Sequence, residues 1–189
     1  MESEKTRCAW CGTDPLYIKY HDEEWGVPVT DDKILFEFLI LESFQAGLSW
    51  ITILRKRENF REAFDNFNYK KIAKYEQSKI DSLLQNEGII RNKLKINSAV
   101  INAKLFMEIQ KEFGSFSNYM WGFVGDKPIK NNWKNHTDAP ATTKESDALS
   151  KDLKKRGFKF VGSTVVYAYM QATGLVNDHI ESCFRYNQV

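Results

Sequence analysis

Apolar residues recur along this chain at helical spacing, and one helix breaks its own pattern. Residues 31–46, DDKILFEFLILESFQA, carry apolar side chains almost all the way round a helix, which predicts an element buried on most sides. Thr30 is placed to cap it, with Asp31 and Asp32 at the positive end of the dipole. Residues 50–64, WITILRKRENFREAF, follow as one amphipathic helix. Further helices are predicted at 69–74, 78–86, 92–112, 115–121, 145–155 and 163–173, the last ended by Gly174. The polar stretch 126–144 holds two of the four prolines and reads as the one long loop. No apolar–polar alternation lasts long enough to propose a sheet. The fold class is therefore all-α, a single functional unit of 189 residues in one or two helical lobes.

The break in the pattern is Glu42. On a helical wheel it shares a face with Leu35, Phe38, Leu39, Gln45 and Ala46, whereas Glu37 falls beside Lys33 and reaches water. A buried carboxylate costs several kcal/mol unless a partner compensates. That partner is an arginine, a backbone amide or tyrosine, or a ligand that brings its own donors. Trp10, Tyr17, Tyr20 and Trp25 fall within sixteen residues, and Trp50 follows the Glu42 helix. Flat rings beside a hydrogen-bonding carboxylate suit a nucleobase, whose faces stack and whose edge donates. Each aromatic taken singly is an ordinary core residue, and only the combination favours a pocket.

Composition narrows the class. The chain is 42% hydrophobic and 14% aromatic, enough for a packed core and too apolar for disorder. No run approaches the roughly 18 apolar residues of a membrane span, and MESEKTRC lacks the apolar stretch of a secretory leader. The expectation is a soluble, cytoplasmic protein. Its net charge of +2 conceals an asymmetry: residues 1–90 carry 12 Lys/Arg against 16 Asp/Glu, and residues 91–189 carry 15 against 9. A basic second half fits a nucleic-acid face and equally an ordinary solvated surface.

Five of the six Cys and His residues lie near the chain ends: Cys8, Cys11, His21, His179 and Cys183. His179 and Cys183 stand four apart, on one face if residues 178–184 are helical. Cys8 or Cys11, with His21, completes a tetrahedral Cys₂His₂ set of the kind zinc takes in a closed structural site. The competing reading is a pair of buried thiols and an ordinary histidine. The stretch ALSKDLKKRGFKFVGSTVVYAYMQATG is a helix, a short link and a second helix. Gly162 allows close approach, and the free N–H groups of Ser163 and Thr164 can meet a phosphate. Lys154, Lys155, Arg156 and Lys159 add charge around the turn. It looks like a helix-hairpin-helix grip on DNA; a plain αα-corner has the same outline.

These motifs converge. Residues 7–184 closely resemble the bacterial DNA-3-methyladenine glycosylase I (Tag-type) family, through DPLYIKYHDEEWGVP, FQAGLSWITILRKRENFREAF, GIIRNKLKI, SDALSKDLKKRGFKFVGSTVVYAYMQATGLVNDH and Cys183. The resemblance implies a helix-hairpin-helix glycosylase with zinc joining segments 7–25 and 175–184, and the hairpin at 145–174. It implies Cys8, His21, His179 and Cys183 as zinc ligands. It assigns Glu42, Tyr17 and Tyr20 to the base pocket, with Trp10 and Trp50 as stacking walls. Gln45-Ala46-Gly47-Leu48 matches the family's DNA-probing loop, in which Gly47 permits close approach and Leu48 wedges into the stack.

The implied reaction is excision of N3-methyladenine from double-stranded DNA by a monomer, with Glu42 as the key site residue. Asn177 stands in VNDH where helix-hairpin-helix glycosylases commonly carry an aspartate, and helix 163–173 contains no lysine. The expectation is a monofunctional hydrolase without lyase chemistry. Two other classes compete: a zinc-stapled DNA-binding module without chemistry, and a hydrolase using the metal as a Lewis acid, which needs an open coordination position.

Overall fold

The computed structural model describes residues 5–189. Ten α-helices form the body: α1 Pro15–Glu23, α2 Asp32–Gln45, α3 Trp50–Arg55, α4 Arg57–Ala63, α5 Tyr69–Ile72, α6 Gln77–Gln85, α7 Lys93–Phe113, α8 Phe116–Gly122, α9 Lys144–Lys155 and α10 Ser163–Ala172. The fold class is as expected. A two-residue parallel pair, β1 Ile129–Lys130 with β2 Val176–Asn177, ties the long loop to the chain after α10.

Helix α2 is the axis of the molecule. Ten consecutive residues, Leu35 to Phe44, are buried, because α3, α7, α8 and α10 all pack against it. Its cap is Asp31, not Thr30: the Asp31 carboxylate accepts from the N–H groups of Lys33 and Ile34 at 2.8 and 3.0 Å. Asp32 serves another helix, accepting from Phe116 and Ser117 N–H at the start of α8.

Three further expectations change. Residues 50–64 form two helices, because Lys56 sits at φ −98°, ψ 0° between α3 and α4. Residues 178–184 form no helix: 178–180 are irregular, and turns begin at Glu181. The region after CAWC, given no helix by its pattern, forms α1: Asp14 caps it and Pro15 occupies its first turn, where the missing N–H costs nothing.

Glu37 also departs from its expected exposure. It is 7% exposed and accepts from Arg57 Nε at 2.6 Å and Arg61 Nη2 at 2.8 Å, while Arg57 Nη1 reaches Glu24. The helix wheel placed Glu37 beside Lys33, but α4 stands opposite that face and delivers two guanidinium groups instead.

The chain after α10 turns at Gly174, φ +72°. There it passes against the segment leading into α2, where Val29 N–H donates to Thr173 O and Gly26 N–H to Gln171 O. A side chain at 174 has no room: a Cβ would lie 2.4 Å from the backbone of Val27 and Pro28. Gly174→Ala is expected to lower unfolding free energy by more than about 2 kcal/mol in urea denaturation; a change below about 0.5 kcal/mol would contradict this packing.

Candidate functional site

The unpaired acid of α2 opens onto a cavity. Glu42 is 3% exposed, and its Oε2 has no hydrogen-bond partner in the protein. No arginine or lysine pairs with it among the described residues; the nearby acids Glu37 and Glu24 hold Arg57 and Arg61 instead. Burial alone pushes its pKa up from 4.5 to about 8. Beside it lies a cavity of about 220 Å³, larger than the roughly 150 Å³ apolar void that accommodates benzene.

All the expected base-pocket residues line it: Trp10, Tyr17, Tyr20, Glu42 and Trp50, with Gln45 from the last turn of α2. Two of them carry unsatisfied donors, since the indole N–H groups of Trp10 and Trp50 find no partner in the protein. Trp10 packs edge-on to Tyr17 at 5.0 Å and to Trp25 at 4.8 Å, and Trp50 lies 5.4 Å from Tyr20 and stacks on Phe38. These contacts fix the rings' planes without filling the space between them. Burial, then the Glu42 charge, pushes the Tyr20 hydroxyl's pKa well up, so it remains a hydrogen-bond donor.

The sequence reading left out part of the wall. Ala168, Gln171 and Asp178 complete it beside Trp25, which was grouped with the pocket rings but given no base contact, and His136 and Ala139 come from the loop 126–144, from which nothing was expected. No sequence signal marked that loop; its own anchors bring it there. Trp133 Nε1 and Asn131 Nδ2 donate to Asp178 Oδ1, and Tyr167 and Gln171 donate to Oδ2. Asp178 thus enters the pocket with its acceptors occupied. Asn177 points away, donating to the carbonyls of Tyr186 and Val189.

Cys8, His21, His179 and Cys183 meet behind this wall, all buried, with donor atoms within 4.8 Å of one another. Cys8 Sγ is 3.6 Å from His179 Nδ1, and Cys183 Sγ is 3.5 Å from His21 Nε2 and 3.4 Å from His179 Nδ1. Such separations match the edges of a tetrahedron with metal–ligand bonds of about 2.0–2.3 Å. Second contacts orient both rings: Asp22 Oδ1 lies 2.8 Å from His21 Nδ1, and Trp25 O lies 2.9 Å from His179 Nε2. Each ring then donates outward and turns its other nitrogen to the cluster, where His21 Nε2 also accepts from Cys8 N–H at 3.3 Å. Cys11 is apart from them, its thiol donating to Cys8 O. The donor set fits a metal ion. Trp10 and Trp25 pack on His21 and His179, at 5.3 and 4.6 Å, so the cluster also braces the pocket.

Past α2, Ala46 leaves the helix at ψ 115° and Gly47 turns at φ +82°. Leu48 projects with 40% exposure. At the other motif, α9 and α10 pack on each other across the link 156–162. Lys155, Lys159 and Thr164 are exposed there, and Gly162 has open space on its Cβ side. Two features differ from expectation. Arg156 is engaged by Glu112 and Asp152, and the Ser163 hydroxyl donates to Asp147, so neither side chain is free for a phosphate.

Comparison with known proteins agrees with this geometry. A model of the methyladenine glycosylase family matches residues 10–186. The chain is 49% identical to DNA-3-methyladenine glycosylase 1 of Escherichia coli over 95% of its length and 96% of the relative's. It is 51% identical to DNA-3-methyladenine glycosylase of Haemophilus influenzae, covering 94% and 96%. A variant of 3-methyladenine DNA glycosylase I, solved in complex with 3-methyladenine, superposes with a TM-score of 0.91 at 38% identity, covering 94% of this chain and 96% of the other. With the whole helical body matched, the chain belongs to the methyladenine glycosylase family.

Proposed function

We propose that this chain hydrolyses the N-glycosidic bond of N3-methyladenine in alkylated double-stranded DNA, releasing the free base and leaving an abasic site. The observation that carries this reading is the partnerless Glu42 carboxyl facing an aromatic cavity of base size. The neighbour's bound 3-methyladenine supports the substrate. A DNA-binding module without chemistry has no use for a buried acid that costs stability.

The leaving group does much of the work. N3-methyladenine in DNA is cationic; when the C1′–N9 bond breaks, the electron pair goes to N9 and neutralises the base. The sugar passes through an oxocarbenium-like state, and water adds to C1′ and loses a proton. Glu42 receives the base edge, Tyr17, Tyr20, Trp10 and Trp50 hold its faces, and Glu42 is a recognition residue more than a general base. Its raised pKa makes that recognition conditional. Ionising it at pH 7 costs about 1.4 kcal/mol, one unit below its pKa. A cation about 4 Å away returns roughly 4 kcal/mol at an effective dielectric near 20. A cationic base therefore draws the proton off Glu42, whereas neutral adenine does not.

Around the pocket, the roles follow position. Leu48, on the turn made by Gly47 beside Gln45, fills the gap left by the extruded nucleotide. The α9–α10 unit is a helix-hairpin-helix that grips a phosphate through Gly162 and the N–H groups of Ser163 and Thr164, with Lys155 and Lys159 supplying charge. Cys8, His21, His179 and Cys183 hold a structural Zn²⁺, whose chemistry is to bind both thiolates and close the fold. Four protein ligands leave no position for a Lewis-acid role. α10 contains no lysine, which supports a monofunctional enzyme. No described helix is long and apolar enough to cross a membrane, and we place the enzyme in the cytoplasm, as a monomer.

The direct test is identification of the base released from alkylated duplex DNA. Glu42→Gln is expected to reduce that release roughly 100-fold or more while keeping fold and metal; parental activity would refute the pocket assignment. The same variant reads the pKa. Folding raises the Glu42 pKa from 4.5 to about 8, so its contribution to stability is complete below pH 4.5 and is lost as pH rises through about 8. Denaturation curves of Glu42→Gln should lack that fall and show a variant more stable than the parent at pH 9. Metal analysis should find about one zinc per chain, lost in Cys183→Ser together with thermal stability. Charge reversal at Lys155 and Lys159 should weaken binding to DNA of any sequence and flatten the salt slope by about 0.9 per phosphate contact removed; an unchanged slope would exclude the hairpin as the grip.

A further inference from the structure

Among the described residues Lys95 is the one buried lysine. It lies in the first turn of α7, 6% exposed, while its neighbours Lys93 and Leu94 face solvent. Its Nζ donates to Phe44 O at 2.7 Å and to Ala46 O at 2.6 Å. Its partners among the described residues are these two carbonyls, with no carboxylate. Taking an ammonium out of water without a counter-ion is costly, so its placement needs a reason.

The reason lies in how α2 ends. The last carbonyls of a helix have no partners within it and carry the negative end of its dipole. Here Leu48 N–H takes Gln45 O at 2.6 Å, and the Lys95 ammonium takes the carbonyls on either side, one inside the helix and one past its end. That clamp spans the residue at which the chain bends away, Ala46, and the bend sets where Gly47 and Leu48 project. Phe44 is only two residues from Glu42 on the same rigid helix. One side chain from α7 therefore holds the pocket helix and the exposed loop in a fixed relation.

We infer that Lys95 is a positioning residue for base extrusion, clamping the C-terminus of α2 so that the Gln45–Leu48 loop presents Leu48 to the DNA stack while Glu42 faces the cavity. The inference rests on the reading of Leu48 as the wedge. Lys95 touches neither base nor sugar; it acts through the loop. Lysine is suited to this because its three donors can serve two carbonyls at once and its charge matches the helix end.

The test is a double-mutant cycle on excision of 3-methyladenine from duplex DNA, with binding of free 3-methyladenine followed by tryptophan fluorescence. Lys95→Met is expected to lower single-turnover excision about tenfold or more, the scale of losing charge-assisted hydrogen bonds. Free-base binding should stay within about twofold, because Glu42 and the rings remain, and Lys95→Arg should restore most of the rate. In a Leu48→Ala background, Lys95→Met should cost less than about twofold, since the wedge it positions is already gone. Full activity of Lys95→Met, equal loss of free-base binding, or full additivity with Leu48→Ala would each overturn the inference. If Lys95→Met does not fold, Lys95→Gln, which keeps a shorter donor, is carried through the same cycle with the same outcomes. Should Leu48→Ala itself leave duplex excision intact, the wedge reading fails and this inference with it; if Leu48→Ala impairs excision and Lys95→Met does not, Lys95 alone is excluded.

Discussion

The candidate site depends on one carboxyl group kept without a partner. Glu42 sits on a helix buried along ten consecutive residues, where an acid is expensive. The surrounding structure bears that expense through packing: Phe36, Leu39, Phe44, Ile53 and Tyr169 are all essentially inaccessible, and the aromatic rings around the cavity hold one another by edge contacts. The same rigidity keeps the cavity from collapsing onto the acid.

Two acids on one helix show how environment assigns role. Glu37 and Glu42 are five residues apart and both buried. Glu37 meets two arginines and becomes a structural ion pair; Glu42 meets indoles and phenols and stays available, its pKa moved towards neutrality by burial alone. Under the proposed function, an acid whose ionisation a cationic ligand favours discriminates by charge as well as by shape. The Cys/His cluster contributes to the same end from behind, since its histidines form the backing of Trp10 and Trp25. One layer of aromatic rings thus separates the Cys/His cluster from the cavity.

Much of the plan was legible along the chain. Helical spacing located nearly every element, because burial of one face leaves a periodic trace. Glu42 was conspicuous because a charge in an apolar stripe is rare, and the Cys and His residues stood out because there are so few of them. Position relative to partners left no such trace. Periodicity says which face of α2 is apolar but not that α4 stands opposite Glu37 with two arginines; that contact reversed the expected exposure of Glu37. Nor did charge counting separate Lys155 and Lys159, which face solvent, from Arg156, which is neutralised by Glu112 and Asp152.

By itself the sequence determined an all-helical chain, a set of aromatic residues near a misplaced acid, and metal-type donors gathered at its two ends. Only the tertiary structure decided that Cys8 rather than Cys11 joins the cluster, that Asp178 anchors the long loop against the pocket, and that His136 and Ala139 reach its wall. It also decided that Lys95, fifty-one residues beyond Phe44 in sequence, closes the end of the pocket helix. The physical reason is common to all four. Local sequence controls which backbone shape and which apolar face a segment adopts, whereas a hydrogen bond or a metal ligand needs two groups brought within about 3–4 Å, and that separation is set by the packing of the whole chain.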